Sequence, residues 1–234
     1  MRKSLLGLLP VAALLFSCVS TPSAKSLGPS LPKTAIVAFY SPYDIGWYGQ
    51  AMSSNVFASA LDAAAKQSAG ETVDDLLPAL MDKLSAKLSE SGLDIIDNAP
   101  LLASASYKAA KEDPLLAAGG IITLQDYKLL SVNNAKQFQA IAAENSLGGG
   151  VYAFAKFDKM MSGGIGLNGS AKAAITLNLF ILNKNGKIVF QKSFFGTSKK
   201  TFTVIAGIYD VKELMYLFPE AMDTVSAKVR ASFN

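Results

Sequence analysis

Histidine is absent from the 234 residues, and cysteine and tryptophan each occur once. Without imidazole, no Ser-His or Cys-His catalytic arrangement can be built, and most transition-metal sites lose their commonest ligand. The lone cysteine, Cys18, has no partner for a disulfide. A charge bias is missing as well. The net charge of +4 includes Arg2 and Lys3; without them 20 basic residues face 18 acidic ones. The basic residues are scattered, so no nucleic-acid partner is expected. Carboxylates, lysines, tyrosines and hydroxyls remain for chemistry. They form no catalytic, metal-binding or cofactor signature, so the expectation is a non-enzyme without cofactor or metal.

Long apolar runs are scarce. Leu5 to Phe16, twelve residues broken by Gly7 and Pro10, is too short for a membrane-crossing helix, which needs roughly 20. Preceded by Arg2-Lys3 and ended by Ser17-Cys18, it has the three parts of a secretory signal. Leu15-Phe16-Ser17-Cys18 resembles a lipobox, with an aliphatic residue three before the cysteine and a small one just before it. A free thiol on an exported protein is a liability, whereas an acylated one anchors the chain. The sequence therefore divides into a signal peptide (1–17), an acylated Cys18 with a Ser-, Pro- and Gly-rich tether (18–32), and a globular domain (33–234). Val19, rather than Asp, after the cysteine favours sorting to the outer membrane over the inner.

The 217 residues after the signal suffice for one domain with a real core. Thr34 to Tyr40 predicts a buried strand. Gln50 to Gln67 predicts an Ala-rich helix. Val73, Leu76, Leu77, Leu80, Leu84 and Leu88 recur at helical spacing, with Thr72 and Asp75 as a capping box, Pro78 near the start and Gly92 as the stop. Leu93 to Asp97 predicts a second strand, giving strand–helix–strand with parallel pairing. Leu101 to Lys111 and Val132 to Asn145 predict helices, the latter with Phe138, Ile141 and Ala142 inward. The clearest signal is the alternation of Ala173, Ile175, Leu177, Leu179 and Ile181, followed by a turn at Asn183-Lys184-Asn185-Gly186 and a returning strand. Asp210 and Glu213 open a last helix, which Pro219 is expected to kink or restart and whose inner stripe is Phe218, Met222, Val225 and Val229. The fold class is mixed α/β (α+β): a single mixed sheet with helices packed on it.

The strand Ile36-Val37-Ala38-Phe39, the Leu-rich helix, Gly92-Leu93-Asp94-Ile95-Ile96, and Leu147-Gly148-Gly149-Gly150-Val151-Tyr152-Ala153-Phe154 follow one another in an order that resembles a known family. With the hairpin turn Asn185-Gly186-Lys187-Ile188-Val189 and a terminal helix, it is similar to envelope lipoproteins with the fold of the TolB amino-terminal domain and the CsgG lipoprotein. The resemblance covers Lys33–Asp97 and Val132–Phe233. Three glycines stand where that family often has Gly-Ala-Asp. Lys159 to Gly169 reads as a glycine-rich loop rather than a long hairpin, so a pore is not implied. What the resemblance implies is a periplasm-facing assembly or scaffold part without catalysis.

Two groups of residues suit binding. Tyr40, Tyr43, Trp47 and Tyr48, beside Phe39, offer apolar faces with polar tips where a strand gives way to a loop; the alternative is a loop folded over the core. Met160, Met161, Ile165 and Leu167 lie among glycines in what reads as a mobile tip for a partner or lipid, or else a plain connection. The pairs Asp74/Asp75 and Asp94/Asp97, and Lys199-Lys200, read as caps and solvated charges. The leading expectation is a membrane-tethered lipoprotein that works through protein–protein contact, with self-association open. The other is a carrier or sensor that holds an apolar small molecule or lipid between Ser41–Gly70 and the sheet.

Overall fold

The computed structural model describes residues 27–49, 73–166 and 168–233. Cys18, Leu167 and the predicted helix over Gln50–Gln67 lie outside them. The described elements run α1 (Leu27–Ser30), β1 (Thr34–Pro42), β2 (Gly46–Trp47), α2 (Leu76–Glu90), α3 (Ala99–Ala103), α4 (Ala105–Ala109), α5 (Pro114–Ala118), β3 (Ile121–Thr123), α6 (Ala135–Asn145), β4 (Gly149–Ile165), β5 (Asn168–Asn183), β6 (Ile188–Thr197), β7 (Phe202–Val204) and α7 (Val211–Ala231). The fold is mixed α/β, built on one sheet in the order β3-β1-β4-β5-β6. β1 runs parallel to β4, and the other long neighbours are antiparallel.

Two cores sit on opposite faces of the sheet. On one, α2 and α7 cover Ile36, Val151, Ala153, Phe157, Ile175, Leu177 and Leu179. The inner stripe of α7 places Phe218, Val225 and Val229 fully inside, each burial contributing about 2 kcal/mol. On the other face, Ala35, Val37, Tyr152 and Leu182 pack under α3, α4 and α6 through Leu101, Tyr107, Phe138 and Ile141. β1 serves both cores through a bulge, since its register shifts between Ile36 and Ala38. The extra residue, Val37, leaves a carbonyl that needs a donor. Tyr107 Oη donates to it at 3.0 Å and accepts from Lys128 N at 3.0 Å.

Several sequence expectations are corrected. Leu93–Asp97 is no full strand: a single parallel bridge joins Ile95 to Thr34. Asp94 and Asp97 accept backbone N–H groups of Lys33 and Ala99, and the backbone of the segment pairs with β1 only at Thr34, through Asp94 and Ile96. α2 begins at Leu76 with Asp75 at its N-cap, but Asp75 makes no side-chain cap, and Thr72 lies outside the described residues. Pro78 falls in the first turn, where a missing N–H costs nothing. Leu27 and Leu31, inside the stretch read as tether, are buried in the core. α7 runs through Pro219 as one helix.

The largest correction concerns 159–169. β4 and β5 continue as a paired hairpin to Ile165 and Asn168, where a loop was expected. Glycine here permits close strand crossing. Gly164 and Gly169 have φ of +113° and +147°, and a Cβ on Gly169 would lie 2.1 Å from the carbonyl of Gly163.

Candidate functional site

β4 and β5 outrun their neighbours, and two short strands flank the overhang. β2 pairs parallel with β4 at Gly46–Asp158 and Trp47–Lys159, and β7 pairs with β5 at Gly169–Ala171. Trp47 and Tyr48 of the first group thus reach the part of β4 that carries Met160 and Met161 of the second, with Trp47 opposite the residue before Met160. This distal end lies about 50 Å from Gly149, given roughly 3.3 Å per residue along the 17 residues of β4.

At its base stands Lys159, fully buried. Its ammonium donates to Tyr209 Oη at 2.7 Å and to the carbonyl of Ile45 at 3.2 Å. It also lies 4.8 Å from the ring centre of Tyr209 and 5.4 Å from that of Trp47. Ring faces carry partial negative charge and offset part of the cost of desolvating the ammonium. Tyr209 meets Trp47 edge-on at 6.1 Å and Phe202 at 5.5 Å. One lysine therefore ties together β2, β4 and the turn before α7.

On the opposite face, Asp158 is 1% exposed and ion-paired with Lys156 at 3.0 Å, although neither carboxylate oxygen receives a well-aligned hydrogen bond. A Cβ on Gly46 would lie 2.9 Å from Asp158 Oδ1, so a larger residue at 46 would have to displace that carboxylate. Tyr48 donates its N–H to the carbonyl of Lys159, and its ring lies 4.7 Å from that of Phe195. β4 and β5 separate β2 from β6, so the Tyr48 side reaches across the sheet face.

The remaining sequence candidates divide. Tyr40 is buried against Phe154, and burial raises its pKa, with Asp113 adding to the effect. Tyr43 and Tyr48 are nearly half exposed, Trp47, Met160 and Met161 are half-buried, and Ile165 is 88% exposed. The structure adds two residues the sequence reading passed over: Ile205 and Ile208, 66% and 64% exposed. They exchange backbone hydrogen bonds of 2.9 Å across a tight turn, with Ala206 and Gly207 at positive φ. Asn168 Oδ1 accepts from Ala206 N at 2.7 Å and so fastens this turn to the hairpin end. The available signal was two isoleucines around Ala-Gly, where a turn ordinarily carries polar residues.

Beside the turn opens a cleft of about 430 Å³, lined by Lys200, Thr201, Asp210, Lys212, Glu213, Tyr216 and Leu217. Tyr216 is 75% exposed, and Asp210 caps α7 by accepting from Lys212 N at 2.8 Å. A second cleft of about 410 Å³ lies at the other end of the sheet, lined in part by Pro32, Gln139, Gly148 and Lys184. Among the described residues no cluster of carboxylates could hold a metal ion, and no helix is long and apolar enough to cross a membrane. The pocket expected between Ser41–Gly70 and the sheet falls largely outside the described residues.

No family model matches the chain, and no curated protein matches it. Among solved structures, the C-terminal domain of LpoB from Salmonella enterica is similar over 77% of this chain and 95% of that chain, with 10% identity and a TM-score of 0.27.

Proposed function

We propose that this chain is an acylated lipoprotein of the bacterial envelope, anchored through Cys18, that acts without catalysis by protein–protein contact at the distal end of its sheet. The outer membrane is the proposed site of the anchor, and the resemblance to TolB-type and CsgG-type lipoproteins belongs to the same reading. The observation that carries it is the exposure of Ile165, Ile205 and Ile208, which the β4–β5 pairing and Asn168 bring to the same end of the sheet. Scattered exposed apolar residues are ordinary on any surface. Three exposed isoleucines at one end, with the 205–208 turn fastened to Asn168 opposite Ile165, are the kind of concentration that contact sites use. The scaffold beneath is stiff, because Lys159 and its aromatic neighbours tie the turn before α7 to β2 and β4.

Two experiments test the reading. Metabolic labelling with a radioactive fatty acid should mark the protein and not its Cys18→Ala form; equal labelling sinks the anchor. Ile205→Ser with Ile208→Ser should leave abundance and acylation unchanged yet abolish the activity of the protein in cells lacking the native copy. Full complementation by that double variant would refute contact at the distal end.

A further inference from the structure

We infer that the other end of the sheet, where the chain enters the fold, rests on an anionic phospholipid bilayer, with Lys136, Lys184 and Lys187 toward the headgroups. The inference rests on the reading of Cys18 as acylated, and it adds which end of the molecule the membrane meets.

Backbone contacts bring these lysines to the entry point. Lys184 N donates to the carbonyl of Gly148 at 2.9 Å, and Gly148 N donates to that of Pro32 at 2.8 Å. The turn from Asn183 to Lys187 also packs on the start of α6. A Cβ on Gly186 would lie 2.8 Å from that of Ala135, and Gln139 Nε2 donates to the carbonyl of Asn185 at 2.7 Å. Gln139 and Ala143 line the 410 Å³ cleft together with Pro32, Gly148 and Lys184. Lys136 stands three positions before Gln139 and seven before Ala143, on that same flank of α6.

Charge on this surface has one sign. Lys136, Lys184 and Lys187 are exposed, and among the described residues none forms an ion pair. Lys33, Lys87 and Arg230 lie at the same end and are offset by Glu90, Asp94 and Asp97. Glu144 of α6 turns its carboxylate to the N–H groups of Ala105 and Ser106. Glu112 and Asp113 follow Lys111 along the other flank of α6, where Gln137 holds the Lys111 backbone. The turn and the near flank of α6 thus carry three lysines and no carboxylate.

The tether selects the bilayer as the occupant. α1 places Leu27 one helical turn before Leu31, whose Cβ lies close to Gly149. The nine residue steps from Cys18 to Leu27 span at most about 32 Å. An acylated Cys18 therefore keeps the lysine-bearing turn close to headgroups, where attraction between lysine and anionic lipid acts over about 8 Å at physiological ionic strength. The distal end, about 50 Å along β4, then projects away from that membrane.

The test uses the full acylated protein, Cys18 blocked by its lipid, with a dye on Asn185→Cys and, in a reference sample, on Ile165→Cys. Both are reconstituted on vesicles with nitroxide-labelled headgroups, of phosphatidylglycerol or of phosphatidylcholine. Quenching at 185 should be about threefold stronger on phosphatidylglycerol than on phosphatidylcholine, and quenching at 165 should stay weak on both. Lys136→Glu with Lys184→Glu and Lys187→Glu, all exposed positions, should abolish the lipid preference. Equal quenching at 185 on the two lipids, a preference that survives the three substitutions, or quenching at 165 as strong as at 185 overturns the inference. Mass spectrometry of the purified chain reads the anchor separately. A free thiol at Cys18 overturns the underlying reading and this inference with it, whereas an acylated chain that fails the quenching test overturns the inference alone.

Discussion

Trp47 lies opposite Lys159 in the β2–β4 ladder, and its indole centre sits 5.4 Å from that lysine's buried ammonium. The pair converts a two-residue strand into a fixed support. Replacing Lys159 by Ala removes both the hydrogen bonds to Tyr209 and Ile45 and the volume of a long side chain. The expected loss is about 3 kcal/mol. Lys159→Met keeps the volume and removes the desolvation cost, so its loss should stay within about 1 kcal/mol. Urea denaturation followed through Trp47, the single tryptophan, measures both. Equal losses for Met and Ala would show that the charge rather than the packing holds the distal end.

The three glycines at the start of β4, Gly148 to Gly150, answer to close packing. A Cβ on Gly150 would lie 2.3 Å from the ring of Phe138, and one on Gly148 would lie 2.2 Å from the carbonyl of Pro32. Gly150→Ala should cost about 2 kcal/mol by forcing α6 off the sheet. Gly163→Ala, in the same strand, meets only Ser170 Oγ at 3.4 Å and should be nearly neutral. Thermal denaturation of the two variants decides, and similar melting temperatures would discard the packing account.

Periodicity carried the parts of the fold that bury one face. The alternation at 173–181 is β5, and Phe218, Met222, Val225 and Val229 line the buried side of α7. Phe138, Ile141 and Ala142 are the buried residues of α6 as their spacing required. Where pairing rests on backbone alone, the sequence was silent. Gly163, Gly164 and Gly169 carry no side chain to alternate, so the end of the hairpin read as a loop. Leu93–Asp97 has strand composition, but its backbone pairs with β1 only around Thr34, through Asp94 and Ile96, so the ladder stops at one bridge. The site was half legible: Trp47 and Ile165 stood out by type. Their meeting depends on the β2–β4 register, and Ile205 and Ile208 were hidden in a short turn.

Alkaline pH should weaken the packing on both faces of the sheet, since Tyr107 and Tyr152 lie in one core and Tyr127 in the other. Burial pushes the Tyr107 hydroxyl up to about 12 from 10.0, and burial raises Tyr127 and Tyr152 as well. The unfolded chain releases these protons near pH 10, before the native state does. The unfolded state then binds fewer protons, so stability is intact below pH 10 and falls as pH climbs toward 12. Tyr107→Phe removes one such group and two hydrogen bonds. It should lower stability by about 1–2 kcal/mol at pH 7 and make the decline above pH 10 shallower. Denaturant titrations at pH 7, 10 and 11 test this. An unchanged slope between the last two would remove Tyr107 from the account.

Pro219 lies in the interior of α7, where its ring removes an N–H and crowds the carbonyl four residues earlier, at a cost of about 3 kcal/mol in an isolated helix. The helix continues because Leu214, Phe218, Met222 and Val225 hold both halves to the sheet. Pro219 itself faces solvent and makes no buried contact that a smaller residue would forfeit. Pro219→Ala should therefore raise stability, by about 1–3 kcal/mol, with thermal and urea denaturation as the measurement. A fall would give the proline a shaping role. α7 approaches β6 so closely at Gly196 that an added Cβ would lie 2.8 Å from the carbonyl of Ala221 and 2.6 Å from Val225 N. Straightening the helix at 219 would then disturb that contact, and Gly196→Ala should be destabilising in either background.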